Sequence, residues 1–407
     1  MTPRSRTSLF ALLLAAAMMN VAYTMLIPLV PELTGRFGLS PFTLAAAFSG
    51  FAFAKALAQP VGGLLVDKVT RLALLGVVGL FATAGSIVGL AFAGDGTQVL
   101  VWRLVWGLAE GFTMPVLYRL AAQLGTTTGL GTSRVMGWFG GSAVAGMTIG
   151  PALVGLLHGA IGFTGVFLTG AGLTAISAVL LVSIRDTPRP AVDQQVKPLA
   201  ISRTTAWRLV CLVAIFAVID FVNNAVFSAL EPVLPLHVQS ENPGAALVTT
   251  SVLYTAGLVM FMIVSVSCAR FIESRPLLLV AGVGFGVMTA GLLVISVFGG
   301  VVMLWVGFLV FMATQPVLYV VARQGVSQLP AHRLGRAYGA FGMVSDIGFI
   351  VGPLVGVALY ERFTGTTFGL LAIVTGLAAG AALLARRLPA RLTGAEDESP
   401  AAPVPGR

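Results

Sequence analysis

The stretch Gly137-Trp-Phe-Gly-Gly-Ser-Ala-Val-Ala-Gly146-Met-Thr-Ile-Gly150-Pro151-Ala-Leu-Val-Gly155 decides how this chain is read. Its frame of Gly137, Gly146, Gly150 and Pro151 returns as Gly339, Gly348, Gly352 and Pro353, at a constant offset of 202. That offset is half of the 407 residues, so one unit is present twice. Glycines spaced this way in an apolar run let helices approach closely, and Pro151 removes one backbone hydrogen bond and bends its helix.

Two further echoes lie outside this frame. Asn20, Pro28 and Pro31 match Asn224, Pro232 and Pro235 at an offset of 204, and Pro115-Val-Leu-Tyr118 matches Pro316-Val-Leu-Tyr319 at 201. Hydrophobic residues make up 57% of the chain and charged residues 10%, with a mean hydropathy of +0.96. A soluble domain carries roughly 25% charged residues, so this charge is too sparse to cover a water-facing surface. The apolar runs reach the ~20 residues that a helix needs to cross the bilayer. Twelve are read: 8–31, 42–66, 72–93, 98–122, 135–158, 161–184, 205–235, 245–268, 276–297, 299–322, 337–360 and 365–387. A basic start before Leu9–Ala17 has the look of a signal peptide, but its apolar run continues to Val30 and is read as the first span.

The expected fold is therefore an all-α polytopic membrane protein, with twelve transmembrane helices in two six-helix bundles. The expected divisions are an N-terminal bundle (1–184), a linker (185–204), a C-terminal bundle (205–387) and a disordered tail (388–407). The net charge of +9 does not point to nucleic acid, because the basic residues flank the apolar runs on alternate sides. This positive-inside bias puts both termini in the cytoplasm of a protein of the cell membrane. Cys211 and Cys268 sit near cytoplasmic span ends, where no disulfide is expected. No phosphate-cradling glycine-lysine loop, zinc-type His-Glu-x-x-His or Gly-x-Ser-x-Gly elbow is present, which argues against an ATP-driven pump or a membrane hydrolase. No cofactor or metal is expected, and the partners are a small-molecule substrate, protons and lipid around a monomer.

With these residues in view, the chain resembles the major facilitator superfamily over residues 8–387. Gly63-Leu-Leu-Val-Asp67-Lys68-Val-Thr-Arg71 is similar to the family's loop 2–3 signature, and Arg103-Leu-Val-Trp-Gly107 to that of span 4. Gly137–Gly155 resembles the span 5 signature of the drug:proton antiporter branch. The resemblance implies two halves rocking about a site formed by spans 1, 4, 7 and 10. It links the glycine stretch to export and to resisting leak, with spans 5 and 8 sliding over Gly146, Gly150, Pro151 and Gly155. It also implies a gate at the cytoplasmic end, built from Gly63, Asp67, Lys68 and Arg71, with Asp67 pairing across to span 11 near Arg336. Topology alone accounts equally for Lys68 and Arg71, whereas an acid does nothing for positive-inside sorting.

Charges within a bilayer cost at least ~2.5 kcal/mol each, so they are functional candidates. Lys55, Arg103, Glu110, Arg119, Asp220 and Asp346 are the ones read inside spans. Arg103 and Glu110, two turns apart, share a helix face beside Gly107, which would leave room for a ligand. They read either as a structural ion pair or as a proton-exchanging acid with an orienting cation. Asp220, Asn223 and Asn224 form a polar stripe at i, i+3 and i+4, suited to substrate or proton binding or to interhelical hydrogen bonds. Asn20, Tyr23 and Gln315 are weaker cavity candidates. Lys55 and Asp346 both fall near mid-membrane and are expected to approach each other as a gate or a proton-sensitive pair. His158, His237 and His332 are read as solvated span ends.

The functional expectation is a proton-coupled exporter of small amphipathic or hydrophobic compounds, with Glu110, Asp220 or Asp346 carrying the proton. The alternative on the same fold is an uptake symporter for a sugar, organic acid or amino acid. A non-transporting receptor stands behind both.

Overall fold

The computed structural model describes residues 3–69, 71–182, 184, 203–273, 275–327 and 334–387. The predicted tail and most of the predicted linker lie outside these residues. Span 1 consists of α1 (Pro3–Met25), the short turn Ile27–Leu29 and α2 (Val30–Phe37), and it bends where Pro28 and Pro31 carry no backbone donor. Spans 2, 3 and 4 are α3 (Pro41–Lys68), α4 (Leu72–Ala91) and α5 (Gly96–Thr127). Ser40 Oγ accepts from the Thr43 N–H at 3.1 Å and Asp95 Oδ1 from Gln98 at 2.8 Å, so both N-termini are capped.

Helix α6 (Thr132–Val182) holds spans 5 and 6. One straight helix of that length would run ~77 Å, more than twice the hydrocarbon thickness. The chain turns back at Gly162, whose φ of 65° and ψ of −177° suit only glycine. The second half repeats the pattern with α7 (Arg203–Glu241), α8 (Ala246–Glu273), α9 (Leu277–Phe298), α10 (Gly300–Ser327), α11 (Leu334–Phe363) and α12 (Thr367–Leu384). Ten continuous stretches among the described residues are long and apolar enough to cross a membrane. Two of these, 134–182 and 341–384, each hold two spans, divided at Gly162 and at the turn Thr364–Thr366, which gives the twelve read from the sequence.

The repeated glycines explain which helices pair. A methyl group on Gly150 would sit 2.6 Å from the Val21 carbonyl oxygen, and one on Gly146 would collide with the Ala17 carbonyl. In the second half, a methyl on Gly348 would sit 2.5 Å from the Phe221 carbonyl oxygen, and one on Gly352 would collide with Ala225 and Ser228. Span 5 therefore seats on span 1, and span 11 on span 7, backbone against backbone. Each seat has its own hydrogen bond: Thr24 Oγ1 donates to the Met147 carbonyl at 2.8 Å, and Ser228 Oγ to the Gly348 carbonyl at 3.2 Å. Thr24→Val, which keeps the shape and removes the donor, should cost ~0.6 kcal/mol, the average for such bonds in a membrane. A small downward shift of the thermal unfolding midpoint in detergent would register it.

This pairing corrects the expectation that the glycine stretch is a sliding surface between spans 5 and 8. Gly146 and Gly150 face span 1 of their own half. Gly155, nine residues after Gly146, points to the opposite side of the helix, where a methyl group would sit 3.1 Å from Ser251 of α8. The face between spans 5 and 8 contains Gly155 alone of these glycines, and Pro151 lies inside α6.

Among the described residues, the two halves share an apolar core at one end and have none in common at the other. One apolar core runs through both halves, joining Leu29, Val30 and Val154 to Leu230, Val233 and Leu253. A second, containing Leu12, Leu72, Leu120 and Leu181, belongs to the first half alone. The joined end is the one where α2 and the Ile27–Leu29 turn pack on α7 and α8. The opposite end carries residue 3 and the end of span 6, and is called the terminal face below. There the repeat-related Tyr118 and Tyr319 are 47% and 45% exposed.

Candidate functional site

Between the halves lies a cavity of about 220 Å³, walled by residues of spans 1, 2, 4, 5, 7 and 11. Phe48, Phe51, Phe227 and Phe349 supply its rings, and Lys55, Glu110, Glu231 and Asp346 its charges. Asn20, Tyr23, Gln59 and Met147 complete much of the remainder. The sequence led to spans 1, 4, 7 and 10, but no described residue of span 10 lines this cavity. Span 2 takes that place, bringing Phe48, Phe51 and Lys55 to the wall.

Lys55 and Glu110 form an ion pair, with Nζ 2.5 Å from Oε1. Span 2 reaches span 4 this closely because Gly107 and Gly111 present no side chain. A methyl on Gly107 would strike the Phe51 carbonyl, and one on Gly111 that of Lys55. Gly107 thus makes room for span 2 rather than for a ligand, which corrects the sequence reading. Glu110 takes Lys55 as its partner, not Arg103. The Arg103 side chain meets the same span 2 two turns away, where Nε donates to the Ala47 carbonyl at 3.2 Å. Its guanidinium lies 4.4 Å from the Phe51 ring centroid and 5.1 Å from that of Trp106. Arg103 is 1% exposed, and Nη1 has no hydrogen-bond partner among the described residues.

Glu231 was not among the sequence candidates. It is 2% exposed, and both its oxygens accept from the Tyr23 hydroxyl, at 3.0 and 3.3 Å. Tyr23 belongs to the other half, so this carboxylate ties the halves together across the cavity. Asp346 lines the same cavity as Lys55 and lies within its electrostatic reach, without forming a direct ion pair among the described residues. Asn20 lines the cavity while its amide donates back to the Ala16 carbonyl at 2.8 Å.

Asp220 does not line this cavity. It is fully buried within the second half, where Arg323 Nη1 donates to it at 3.0 Å, Ser345 Oγ donates to it, and Asn224 Nδ2 lies at 3.4 Å. Asn224 also donates to Ser345 Oγ at 2.8 Å, so the predicted polar stripe fastens spans 7, 10 and 11. Arg323 was also missed by the sequence reading. Its guanidinium stacks 3.3 Å over the Tyr319 ring. Asn223 and Gln315 are buried outside the cavity, and Asn223 Oδ1 and Gln315 Nε2 are unpartnered among the described residues.

At the terminal face, Gly63 has open space around it, and Lys68 and Arg71 are exposed. The side chains of Asp67 and Arg336 lie outside the described residues, and so does their expected pairing. His158 is partly exposed at its span end, where its Nε2 lies 2.6 Å from Glu32. His237 packs edge-on against Phe368 and Tyr360. His332 is outside the described residues.

The sequence model described as "Major Facilitator Superfamily" matches residues 12–329. The Multidrug resistance protein B homolog of Mycobacterium tuberculosis is 31% identical over 178 residues, 43% of this chain and 32% of that protein. The Multi-drug resistance efflux pump PmrA of Streptococcus pneumoniae is 24% identical over 246 residues, 59% of each chain. The matches thus span about a third of the one relative and under two thirds of the other. Among solved structures, a bacterial homolog of the human lysosomal transporter Spinster, inward-facing and unoccupied, superposes with a TM-score of 0.77 at 13% identity, covering 96% of this chain and 99% of that one. The nucleoside transporter NupG gives 0.77 at 15% identity, covering 93% and 99%. At such identities the likeness concerns the fold.

Proposed function

The chain belongs to the major facilitator superfamily, and on that premise we propose that it exports small amphipathic compounds, chiefly lipophilic cations, in exchange for protons. The observation that carries this reading is the cavity itself. Four phenyl rings provide apolar area and ring faces that attract cations, and three carboxyl groups stand in the wall against one amine. The relatives named for multidrug resistance and efflux support export of drug-like compounds.

The transport cycle follows from competition at the carboxylates. With the terminal face open, a cation reaches Glu110 and the rings. Rocking of the halves then exposes the cavity to the far face. That movement separates Tyr23 from Glu231, since the two sit on different halves. A proton arriving from the far side neutralises a cavity carboxylate and releases the cation, because one anion cannot hold both. The protonated site returns and loses its proton at the terminal face. In this reading the protein is a monomer in the cell membrane with both termini cytoplasmic, and Asp67, Lys68, Arg71 and Arg336 close the terminal end.

Inverted membrane vesicles test this. With an imposed proton gradient, adding ethidium or tetraphenylphosphonium should collapse the gradient, followed by a pH-sensitive dye. Glu110→Gln should abolish at least nine-tenths of that response, an effect of about tenfold or more. No response to any cation, together with sugar- or acid-driven proton entry in right-side-out vesicles, would sink export in favour of uptake.

A further inference from the structure

We propose that Lys55 is a displaceable counter-ion: a cationic substrate takes its place on Glu110, and the freed ammonium moves to Asp346 and draws the terminal face shut. This rests on the cation export read above and names the residue that senses occupancy.

Three observations meet here. First, Glu110 is already neutralised by Lys55, at 2.5 Å, so an incoming cation can bind this carboxylate only by displacing the amine. Second, Lys55 is the more accessible partner, 26% exposed against 8% for Glu110, and lies at the cavity wall rather than behind it. Its flexible four-carbon stem and point charge suit partner exchange, which a forked guanidinium would resist. Third, Asp346 lines the same cavity from α11, the second-half helix that packs beside α3, and lacks an ion pair among the described residues.

The charged neighbours leave no other destination. Asp220 and Arg323, the next charges around Asp346, are occupied with each other. Glu231 is held by Tyr23, and Tyr118 carries no negative charge to compete. A ligand can shift a conformational equilibrium only by interacting differently with the two states. A cation on Glu110 does this indirectly, because the displaced Lys55 regains an anion only when the halves approach. A neutral compound leaves Lys55 in place and gains no closure. The cavity would thus accept both kinds of compound and carry forward only the charged one.

The unusual consequence is that removing a cavity residue should strengthen binding. In lipid nanodiscs, Lys55→Met should bind tetraphenylphosphonium about tenfold more tightly than wild type, since the probe no longer competes with the amine. Spin labels at Thr127 and Ser327, the exposed ends of spans 4 and 10, with Cys211 and Cys268 replaced by serine, report the separation of the halves at the terminal face. Tetraphenylphosphonium should shorten that distance in wild type but not in Lys55→Met or Asp346→Asn, although both variants still bind the probe. If Lys55→Met proves unstable, Lys55→Gln removes the charge and keeps a donor for Glu110, with the same expectations. Equal or weaker binding by the lysine variants overturns the proposal, and so does probe-driven closure in Asp346→Asn. Failure of wild type to bind the probe at all would instead remove the cation reading beneath it.

Discussion

Gly150→Leu should give no folded protein. A side chain at this position begins 2.6 Å from the Val21 carbonyl oxygen and against Thr24 Oγ1 and the Met25 amide, so the obstruction is largely the backbone of span 1. No rotamer relieves such a clash, and spans 1 and 5 would have to separate along their length. Ordinary overpacking costs ~1–3 kcal/mol, and here the seat of a whole helix and its Thr24–Met147 hydrogen bond are lost as well. Against a total stability of ~5–15 kcal/mol, that is enough to remove the native state. Size-exclusion chromatography in detergent should show loss of the monodisperse peak, and the repeat-related Gly352→Leu should behave alike. Gly85→Leu, where nothing lies within 4 Å, should run as wild type. Normal chromatography of Gly150→Leu would mean that spans 1 and 5 are not seated as described.

Arg323→Met should be the most damaging change to a charged residue. Asp220 has no exposed surface, and Arg323 supplies the positive charge in its hydrogen-bonding shell. Removing one partner of a buried pair costs ~3–5 kcal/mol because the other charge is left uncompensated. Adding Asp220→Asn should recover most of the loss, since an amide can keep hydrogen bonds to Ser345 and Asn224 without a charge to neutralise. Thermal unfolding of the single and double variants gives the comparison. A double variant no more stable than Arg323→Met would show that the lost contacts with Tyr319 and Phe341, rather than the lone carboxylate, carry the cost.

The architecture was largely legible in the sequence, because lipid imposes it. Apolar length marks the spans, and the repeat at offsets of 201 to 204 marks the two halves. The site was less legible, and particular residues show why. Arg323 lies one position past the predicted end of span 10, and Glu231 sits near the predicted end of span 7, although both helices continue beyond those limits. Hydropathy locates where a span is apolar, not where its helix stops. Arg103 and Glu110 do share one face of α5, as helical spacing requires. Their partners depend on how far span 2 approaches, and two glycines on span 4 decide that. Gly107 was read as space for a ligand when it is space for a neighbouring backbone. Periodicity gives the direction of a side chain and leaves open what will stand opposite it.

The seat of span 5 on span 1 bears on how the chain is made. Ala17 and Gly146 touch across 129 residues of intervening chain. At synthesis rates of ~5–20 residues per second, span 1 therefore waits roughly 6–26 s in the bilayer for its partner. During that interval Thr24 can turn its hydroxyl to the Asn20 and Val21 carbonyls of its own helix, both within 3.4 Å, and so remain satisfied in hydrocarbon. Spans 2 and 4, fitted at Gly107 and Gly111, are both made before span 5. A pair of spans can thus form before span 1 has its neighbour, and the Gly146–Gly150 segment is the point at which span 1 first gains the backbone it is shaped to meet.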